Sequence, residues 1–372
     1  MIEFNAPYLT GNESKYIDDV LKNKRFQGNG PYTRKSITTI QKELNSDIIY
    51  LTPSGTSALE FAALLSNLNK GDEVIMPSFT FSSTANAFVL RGCKIKFIDI
   101  RPDTLNIDEN LIEEAITDKT KVIVPVHYAG VSAEMDKIME IAKKYNLMVV
   151  EDAAQGYLSK YKDRNLGTIG DVGCFSFHET KNIQCGEGGA IIINNKNLKE
   201  SADEIQEKGT NRTKFLNGDV DKYTWVNIGS SYLMPEINAA FLYAQLNQGK
   251  EIIAKRLSIW DGYYNGLKNI EGLQLPFIPK YCQHNAHIFY LRLKDLESRN
   301  KLMSYLYKNG IKTTTHYVPL HSSPYGKNVG EFVGEDKYTT SVYNTLLRLP
   351  LYPDLPEAKV NYIGSKIVDF FQ

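Results

Sequence analysis

The stretch AEMDKIMEIAKKYNLMVVEDAAQ (133–155) decides the fold class of this 372-residue chain. Its first part, 133–146, has the apolar spacing of an amphipathic helix. Its second part, 147–155, is a short valine-containing run that predicts a strand. A helix that leads directly into a strand is the unit from which α/β proteins are built.

The same alternation extends through the first two thirds of the chain. Short runs rich in Val and Ile predict further strands at 72–80, 93–100 and 121–130, and residues 57–68 predict another helix. Strands that alternate with helices favour a mainly parallel sheet with helices on both faces.

The chain length predicts two domains, because a single domain usually has roughly 150 residues. A long helix is predicted at 234–248, and beyond it the pattern becomes shorter, with strands at 286–293 and 312–320. We therefore predict a large domain over residues 1–249 and a smaller C-terminal α/β domain over residues 250–372.

Composition and charge exclude several classes of function. Lys+Arg and Asp+Glu both number 43, so the net charge gives no sign of nucleic-acid or membrane-surface binding. The four cysteines have no CxxC or metal-ligand spacing, which fits reduced thiols and no metal site. The first residues lack a signal-peptide pattern, and no apolar run is long enough to span a bilayer. We expect a cytoplasmic protein with no nucleic-acid or membrane partner.

A first candidate site follows a predicted strand end, in LTPSGTSALEF (51–61). Free amides and the dipole at the start of the following helix favour an anion such as phosphate, and Thr56 and Ser57 add hydroxyls. The alternative is a simple helix N-cap, because Ser and Thr serve that purpose in many proteins. The segment is not a Walker loop, since it lacks the GK[ST] ending.

A second candidate site is VVEDAAQ (149–155), where two acids directly follow an apolar strand. Asp152 at the end of that strand could hold a cation or a protonated ring nitrogen, and Gln155 could point the same way. The alternative is that Asp152 caps a helix or forms a salt bridge.

A third candidate site is FSFHETKNIQCGEGG (175–189), in which Ser176 and Lys181 flank His178. A lysine that loses water at the edge of a site has a lowered pKa and becomes a nucleophilic amine, usually toward an aldehyde. The alternative is a lysine that reaches the surface from a loop. The three glycines that follow favour close backbone packing instead.

The three sites together predict one cofactor. A phosphate cradle, an acid for a ring nitrogen and a lysine for an aldehyde are the three anchors of pyridoxal 5'-phosphate (PLP). Phe81, at the end of another strand, could stack on the cofactor ring, although a core position is an equal alternative.

Four motifs resemble the DegT/DnrJ/StrS family of sugar-nucleotide aminotransferases, and the resemblance covers essentially the whole chain. They are PSGTSALE (53–60), VVEDAAQG (149–156), GCFSFHETKN (173–182) and GEGGA (186–190). The resemblance implies the aspartate-aminotransferase fold (fold type I) and a homodimer with its site at the interface. It also implies cofactor roles: Lys181 for the aldehyde, Asp152 for the ring nitrogen, Gln155 for the phenolic oxygen, Thr56, Ser57 and Ser176 for the phosphate, and Phe81 over the ring.

One segment departs from the family pattern. Members usually have a GYNYRM-like segment whose Asn reaches the partner's phosphate site, whereas this chain has GSSYLM at 229–234. Ser231 replaces that Asn and Leu233 replaces the Arg. The contact to the partner's phosphate is therefore absent, or it comes from Ser231 or from nearby Asn227.

Further stretches resemble members that aminate C4 of a TDP-4-keto-6-deoxy sugar, among them TANAFVLRG (84–92) and VIVPVHYAG (122–130). This resemblance implies ping-pong transfer of an amino group from L-glutamate to TDP-4-keto-6-deoxy-D-glucose. The products would be 2-oxoglutarate and TDP-4-amino-4,6-dideoxy-D-galactose, for cell-envelope polysaccharides such as O-antigen or enterobacterial common antigen.

The substrate contacts are harder to read from the sequence. The resemblance suggests His316, Tyr317 and His321 in THYVPLH (315–321), for which ordinary strand residues are the alternative. His178 and Glu179 are further candidates because they lie beside Lys181 in the sequence. Three other functions stay open: an aminotransferase giving the equatorial C4 amine, one acting at C3, and a non-catalytic sugar-nucleotide binder on the same fold.

Overall fold

The computed structural model describes residues 1–372. Its thirteen strands are β1 Ile49–Thr52, β2 Glu73–Pro77, β3 Lys94–Ile98, β4 Thr120–Ile123, β5 Met148–Asp152, β6 Lys160–Tyr161, β7 Arg164–Asn165, β8 Val172–Ser176, β9 Gly189–Ile193, β10 Cys282–Gln283, β11 Tyr290–Arg292, β12 Gly330–Phe332 and β13 Leu346–Arg348. Its fourteen α-helices are α1 Glu13–Asn23, α2 Pro31–Leu44, α3 Gly55–Leu65, α4 Ser82–Val89, α5 Ile112–Ala115, α6 Met135–Tyr145, α7 Lys199–Gln206, α8 Arg212–Asn217, α9 Glu236–Asn247, α10 Gly249–Leu267, α11 Leu296–Lys308, α12 Gly326–Val329, α13 Thr339–Thr345 and α14 Glu357–Phe371.

Eight strands form a central sheet in the order β1-β9-β8-β5-β4-β2-β3-β12. Strand β9 alone runs opposite to the others, because it pairs antiparallel with both β1 and β8 while the remaining neighbours are parallel. Alternate residues of β5 pack on opposite faces: Val150 lies in a cluster with helices α3 and α4, and Val149 in a cluster with α6. The sheet is therefore covered on both faces, which confirms the predicted α/β fold.

The strand directions bring the predicted sites together. Parallel strands end at a common edge of the sheet, so the residues that follow β1, β2, β5 and β8 meet there. Strand β9 starts at this edge, where Gly189 pairs with both Thr52 and Ser176. A β-carbon at Gly189 would lie 2.4 Å from the carbonyl oxygen of Ser54, so this close approach requires glycine.

The C-terminal part has a hydrophobic cluster of its own. Side chains of α10, α11 and α14 pack around the short antiparallel sheet β11-β13, and Trp260 of α10 contacts Phe289, which directly precedes β11. Several contacts join it to the N-terminal part. Strand β12 pairs with β3, β10 pairs with β6, and Ile2 joins the C-terminal cluster. The division at residue 249 stays a prediction.

The predicted strand at 312–320 is wrong for most of its length. Only Thr314 forms a bridge, to Arg348, and the chain then leaves the sheet edge and enters a short 3₁₀ turn at Leu320–Ser322. This departure carries His316 and Tyr317 over the carboxyl edge of the central sheet, where both line the main pocket. None of the helices combines the length and apolarity required to cross a membrane.

Candidate active site

A pocket of about 640 Å³ opens at the carboxyl edge of the central sheet. This volume lies within the usual range for small-molecule sites. Nine of the predicted site residues line it: Thr56, Phe81, Asp152, Gln155, Ser176, His178, Lys181, His316 and Tyr317. The strand ends and the segment after residue 314 thus bring distant parts of the sequence into one cavity.

Two helix N-termini form one end of the pocket. Ser54 caps α3 by accepting a hydrogen bond from the Ser57 amide at 3.0 Å. The hydroxyls of Thr56 and of Ser83 in α4 lie 2.8 Å apart. Helix N-termini have unpaired amides and a positive dipole end, so this region with its hydroxyls fits a phosphate.

Gly55 allows α3 to begin directly beside β8. A β-carbon at this position would lie 2.7 Å from the β-carbon of Ser176, closer than such atoms approach in proteins. Glycine at this position therefore lets the Ser176 side chain and the start of α3 line the same end of the pocket.

Asp152 ends β5 with a carboxylate that is buried but has no cationic partner. Its residue is only 6% exposed, and no lysine, arginine or histidine nitrogen lies within 4.0 Å of the carboxylate. One oxygen accepts a hydrogen bond from the Thr84 hydroxyl at 2.7 Å, and the other accepts one from the Ala154 amide at 3.1 Å. A buried carboxylate usually has a charged partner, so this one fits a protonated group on a ligand.

Lys181 lies in the turn after β8, where its amide donates to the carbonyl of His178 at 2.8 Å. Burial lowers the pKa of its amine to about 8, and the charge of Arg348 adds to this while that of Asp152 opposes it. No carboxylate lies within 4.0 Å of the amine. At pH 7 about a tenth of Lys181 is therefore an uncharged, nucleophilic amine, far more than for an exposed lysine.

The amide of Gln155 joins two elements across the pocket. Its Oε1 accepts a hydrogen bond from the Ala129 amide at 2.7 Å, and its Nε2 donates to the Tyr317 hydroxyl at 2.9 Å. The Tyr317 ring stacks on the His316 ring with their centroids 4.0 Å apart. These contacts fix the side chains of Gln155, Tyr317 and His316, which separate the strand ends of the central sheet from the C-terminal part of the chain.

Phe81 is not a core residue. It is 60% exposed and lines the pocket, whereas Phe79, two residues earlier, is 1% exposed. Phe81 is the N-cap residue that directly precedes α4, so it lies where the chain turns into the helix, beyond the stretch after β2 that buries Phe79. A ring at the rim of the pocket is compatible with stacking on a planar ligand.

Five predicted residues do not line the pocket of this chain. The Ser57 hydroxyl pairs with that of Ser54 at 3.0 Å, and Glu179 is exposed outside the cavity. His321 binds the Ser78 hydroxyl at 2.8 Å and faces Asp336.

The other two residues are in the segment that departs from the family pattern. The Asn227 amide donates to Glu204 at 3.0 Å, and Ser231 forms a bridge with Glu207. Both residues lie away from the pocket of their own chain. A role at a phosphate would therefore require the pocket of a second copy.

Several pocket residues were missed by the sequence reasoning, namely Ser54, Ser83, Thr84, Arg256, His287 and Arg348. Ser83 and Thr84 could have been found, because FSSTA after β2 repeats the hydroxyl-rich helix start that marked SGTSA after β1. No local signal distinguishes the two arginines or His287, since they are brought to the pocket only by the tertiary fold.

The pocket passes a physical test for PLP. The cofactor presents a phosphate, a ring nitrogen that can carry a proton, and an aldehyde. The pocket has a hydroxyl-rich pair of helix N-termini, a buried carboxylate without a cation, and an amine with a lowered pKa. Each chemical group of the cofactor thus meets a matching group in the pocket.

Comparison with known proteins identifies the family. The family model described as the DegT/DnrJ/EryC1/StrS aminotransferase family matches residues 7–368. The chain belongs to this family. Its members use PLP, so the cofactor predicted from the sequence is confirmed, and the protein is a PLP-dependent sugar aminotransferase.

Relatives of this aminotransferase cover nearly its whole length. The chain is 32% identical to GDP-perosamine synthase of Escherichia coli O157:H7, with 98% of this chain and 97% of the relative covered. It is also 32% identical to the spore coat polysaccharide biosynthesis protein SpsC of Bacillus subtilis, over 99% and 96% of the two chains. The solved PLP form of Spr1654 from Streptococcus pneumoniae is 26% identical, with a TM-score of 0.91 and 100% and 98% of the two chains covered.

Proposed function

We propose that this aminotransferase transfers the amino group of L-glutamate to C4 of TDP-4-keto-6-deoxy-D-glucose. The products are 2-oxoglutarate and TDP-4-amino-4,6-dideoxy-D-galactose, as for the dTDP-4-amino-4,6-dideoxygalactose transaminase that the sequence resembles. One observation carries the transaminase chemistry: a lysine of lowered pKa lines the same pocket as a buried carboxylate that lacks a cation. The choice of sugar rests on the sequence resemblance.

When bound, PLP supplies an aldehyde that exchanges amines and a ring that accepts negative charge from the reacting carbon. In our proposal Asp152 holds a proton on the ring nitrogen, and the Thr84 hydroxyl fixes the carboxylate in place. The amine of Lys181 first anchors the aldehyde and then, once displaced by the donor, moves a proton from the donor's α-carbon. Its pKa of about 8 suits both roles near neutral pH.

The remaining proposed cofactor contacts follow the chemistry of each side chain. The hydroxyls of Thr56 and Ser176 and the first amides of α3 hold the phosphate, with Ser57 supporting the cap. Gln155 turns its side-chain amide toward the phenolic oxygen of the cofactor, and Phe81 covers the cofactor ring.

We propose a homodimer in which the segment 208–231 reaches the pocket of a second copy. This segment has several exposed apolar side chains, and Trp225 is 76% exposed. Such a cluster is typical of an interface, because burying it removes apolar surface from water. Asn227 or Ser231 of one copy then completes the phosphate site of the other.

The proposed sugar contacts come from the side of the pocket that faces the C-terminal part. His316, Tyr317 and His178 line the pocket and offer hydrogen-bonding groups for sugar hydroxyls. Glu179 and His321 lie farther away and are assigned to the nucleotide end. The pattern of reduced cysteines supports a cytoplasmic enzyme in the synthesis of cell-envelope polysaccharides such as O-antigen or enterobacterial common antigen.

The proton spectrum of the sugar product tests this function. The protein is incubated with PLP, L-glutamate and TDP-4-keto-6-deoxy-D-glucose, and the coupling between H3 and H4 of the product is measured. A small coupling means an axial C4 amine, as proposed. A large coupling means the equatorial epimer, and an amine at C3 or no amine at all would also contradict the choice of substrate.

A further inference from the structure

The turn that follows β4 holds an alanine in a conformation that alanine rarely adopts. Ala129 has φ +60° and ψ +13°, in the left-handed region, and Gly130 directly after it has φ +78°. Both residues are buried. Left-handed backbone is strained for a residue with a β-carbon, so the surrounding structure must impose it on Ala129.

This turn presents one amide to a side chain of the pocket. The Ala129 amide donates to Oε1 of Gln155 at 2.7 Å. Because a backbone amide can only donate, the oxygen of the Gln155 side chain must face the turn and its Nε2 must face away. One hydrogen of Nε2 goes to the Tyr317 hydroxyl at 2.9 Å, and the second has no acceptor in the chain. The turn thus orients the Gln155 amide and leaves one N–H in the pocket for a ligand.

Asn106 clamps the turn on both sides of the strained pair. Its Oδ1 accepts from the Tyr128 amide at 2.8 Å, and its Nδ2 donates to the Val131 carbonyl at 2.9 Å. Asn106 is 1% exposed, comes from the segment after β3 and does not line the pocket. Two bonds that flank Ala129 and Gly130 oppose their relaxation out of the left-handed region.

Contacts of His127 tie the start of the turn to β5. Its amide donates to the Asp152 carbonyl at 3.1 Å. Its Nδ1 accepts from the Ala133 amide at 3.2 Å, so Nε2 carries the ring proton and donates to Glu151 at 2.9 Å. The side chains of His127 and Glu151 are both fully buried. These contacts place the turn beside the end of β5, whereas the clamp by Asn106 acts on the turn itself.

The backbone of Gln155 is held separately from its side chain. Nδ2 of Asn285 donates to the Gln155 carbonyl at 2.8 Å and to the Tyr157 carbonyl at 2.9 Å. A β-carbon at Gly130 would lie 1.9 Å from Oδ1 of Asn285, so glycine is required for this close packing. The backbone of Gln155 is therefore fixed without Asn106, and Asn106 adds the orientation of the side-chain amide.

We infer that Asn106 is a positioning residue that acts on the cofactor through Ala129 and Gln155. By holding the strained turn, it keeps the Gln155 oxygen occupied and directs the free N–H to the phenolic oxygen of bound PLP. This inference rests on the proposed function, in which Gln155 contacts that oxygen. A hydrogen-bond donor stabilises the ionised form of an oxygen. The clamp should therefore lower the pH at which the phenolic oxygen of bound PLP loses its proton.

The absorbance of bound PLP, titrated with pH and without substrate, tests the inference. Loss of a donor disfavours the ionised oxygen and raises the midpoint of the absorbance change. We expect Gln155→Leu to raise the midpoint by about one to two pH units, as for the loss of a hydrogen bond to a charged group. Asn106→Ala should raise it by at least about half a unit. Asn106→Ser, which keeps a polar group beside the buried amide, is the milder variant and should shift it in the same direction.

A double-mutant cycle separates a positioning role from a structural one. In the Gln155→Leu background, Asn106→Ala should add no further shift, because the group through which it acts is gone. Asn194→Ala is the matched control. Nδ2 of Asn194 donates to the carbonyls of Gly167 at 3.1 Å and Gly170 at 2.9 Å, but the residue follows β9 at the opposite edge of the central sheet. This variant should lower the free energy of unfolding and leave the midpoint unchanged.

The outcomes are distinguishable. A wild-type midpoint in Asn106→Ala or Asn106→Ser with PLP bound, while Gln155→Leu shifts it, would overturn the inference and leave the Gln155 contact standing. An equal shift by Asn106→Ala with and without Gln155 would make its effect independent of that side chain and also overturn the inference. No shift in Gln155→Leu would overturn both the inference and the proposed cofactor contact. If the shifts appear but the keto sugar is not aminated, only the proposed substrate fails.

Discussion

The Thr84 hydroxyl donates a hydrogen bond to the Asp152 carboxylate across 2.7 Å and thereby joins the first turn of α4 to the end of β5. The same hydroxyl pairs with that of Thr80 at 2.8 Å, so Thr84 accepts from Thr80 while it donates to Asp152. The carboxylate consequently has a fixed orientation before any ligand arrives. A pre-oriented acid loses less entropy when it binds a ring nitrogen.

Thr84→Val should weaken both cofactor binding and turnover. Valine keeps the shape but removes the donor, which leaves a carboxylate oxygen unpaired in a buried place. A hydrogen bond to a charged group contributes about 1.5–3 kcal/mol, so PLP affinity or turnover should fall by at least about tenfold. PLP binding is measured by absorbance titration of the apoprotein. Thr84→Ser should stay close to wild type, and Thr39→Val, on the exposed face of α2, should change nothing.

Lys181→Ala should abolish turnover while the fold and the pocket remain. Borohydride should fix PLP covalently on the wild-type protein at Lys181 and leave Lys181→Ala unlabelled, as seen by peptide mass spectrometry. The exposed Lys250→Ala is the matched control and should be labelled like wild type. A wild-type protein that PLP never colours or labels would favour the non-catalytic sugar-nucleotide binder instead.

The stability of the apoprotein should depend on pH through Lys181. Its pKa is about 8 in the folded state, below the value of 10.5 for an unperturbed lysine, because burial disfavours the charged form. The unfolded chain therefore binds more protons between pH 8 and pH 10.5, and the free energy of unfolding due to this group rises with pH across that window. Below pH 8 the group destabilises the folded state by a constant amount.

Lys181→Met removes this penalty. Its apoprotein should be about 1–3 kcal/mol more stable than wild type near pH 7, and the difference should shrink toward zero above pH 10. Urea unfolding at several pH values measures it. Lys250→Met, at an exposed position, controls for the loss of a surface charge. A difference that does not vary with pH would mean that Lys181 is not desolvated.

The sequence predicted the sheet and its carboxyl-edge residues because both depend on local signals. The alternation of strands and helices fixes strand direction, and direction alone brings the ends of β1, β5 and β8 to one edge. Thr56, Asp152 and Lys181 could therefore be assigned to one pocket without tertiary information.

The C-terminal side of the pocket could not be predicted in the same way. The apolar and aromatic residues around His316 resemble a strand, yet they cross the pocket as an extended segment whose path is set by Tyr128 and Arg348. His321 binds Ser78 instead of lining the pocket. Tyr128 and His316 are 188 positions apart, and Ser78 and His321 are 243 positions apart, so no local pattern encodes these contacts.

The proposed homodimer should depend on Trp225. Trp225→Asp places a charge in a contact that we expect to be apolar, so sedimentation velocity should show a shift from dimer toward monomer. PLP content should fall with it, because Asn227 or Ser231 of the second copy no longer reaches the phosphate. Tyr307→Asp is the control, since this 60% exposed side chain lies on α11, far from the segment 208–231. A Trp225→Asp dimer with full PLP content would contradict the proposal.

Gly55→Ala should damage the phosphate end of the pocket without a general loss of helix stability. The added β-carbon would meet the Ser176 β-carbon at 2.7 Å, so α3 or β8 must shift and the hydroxyl of Ser176 moves relative to the first amides of α3. We expect PLP affinity to fall by at least about tenfold, since charge-assisted hydrogen bonds of about 1.5–3 kcal/mol are lost. Gly364→Ala is the matched control, because nothing lies within 4 Å of its β-carbon in α14. It should raise the free energy of unfolding by about 0.5–1 kcal/mol and leave PLP affinity unchanged. Wild-type PLP affinity in Gly55→Ala would mean that this helix start does not hold the phosphate.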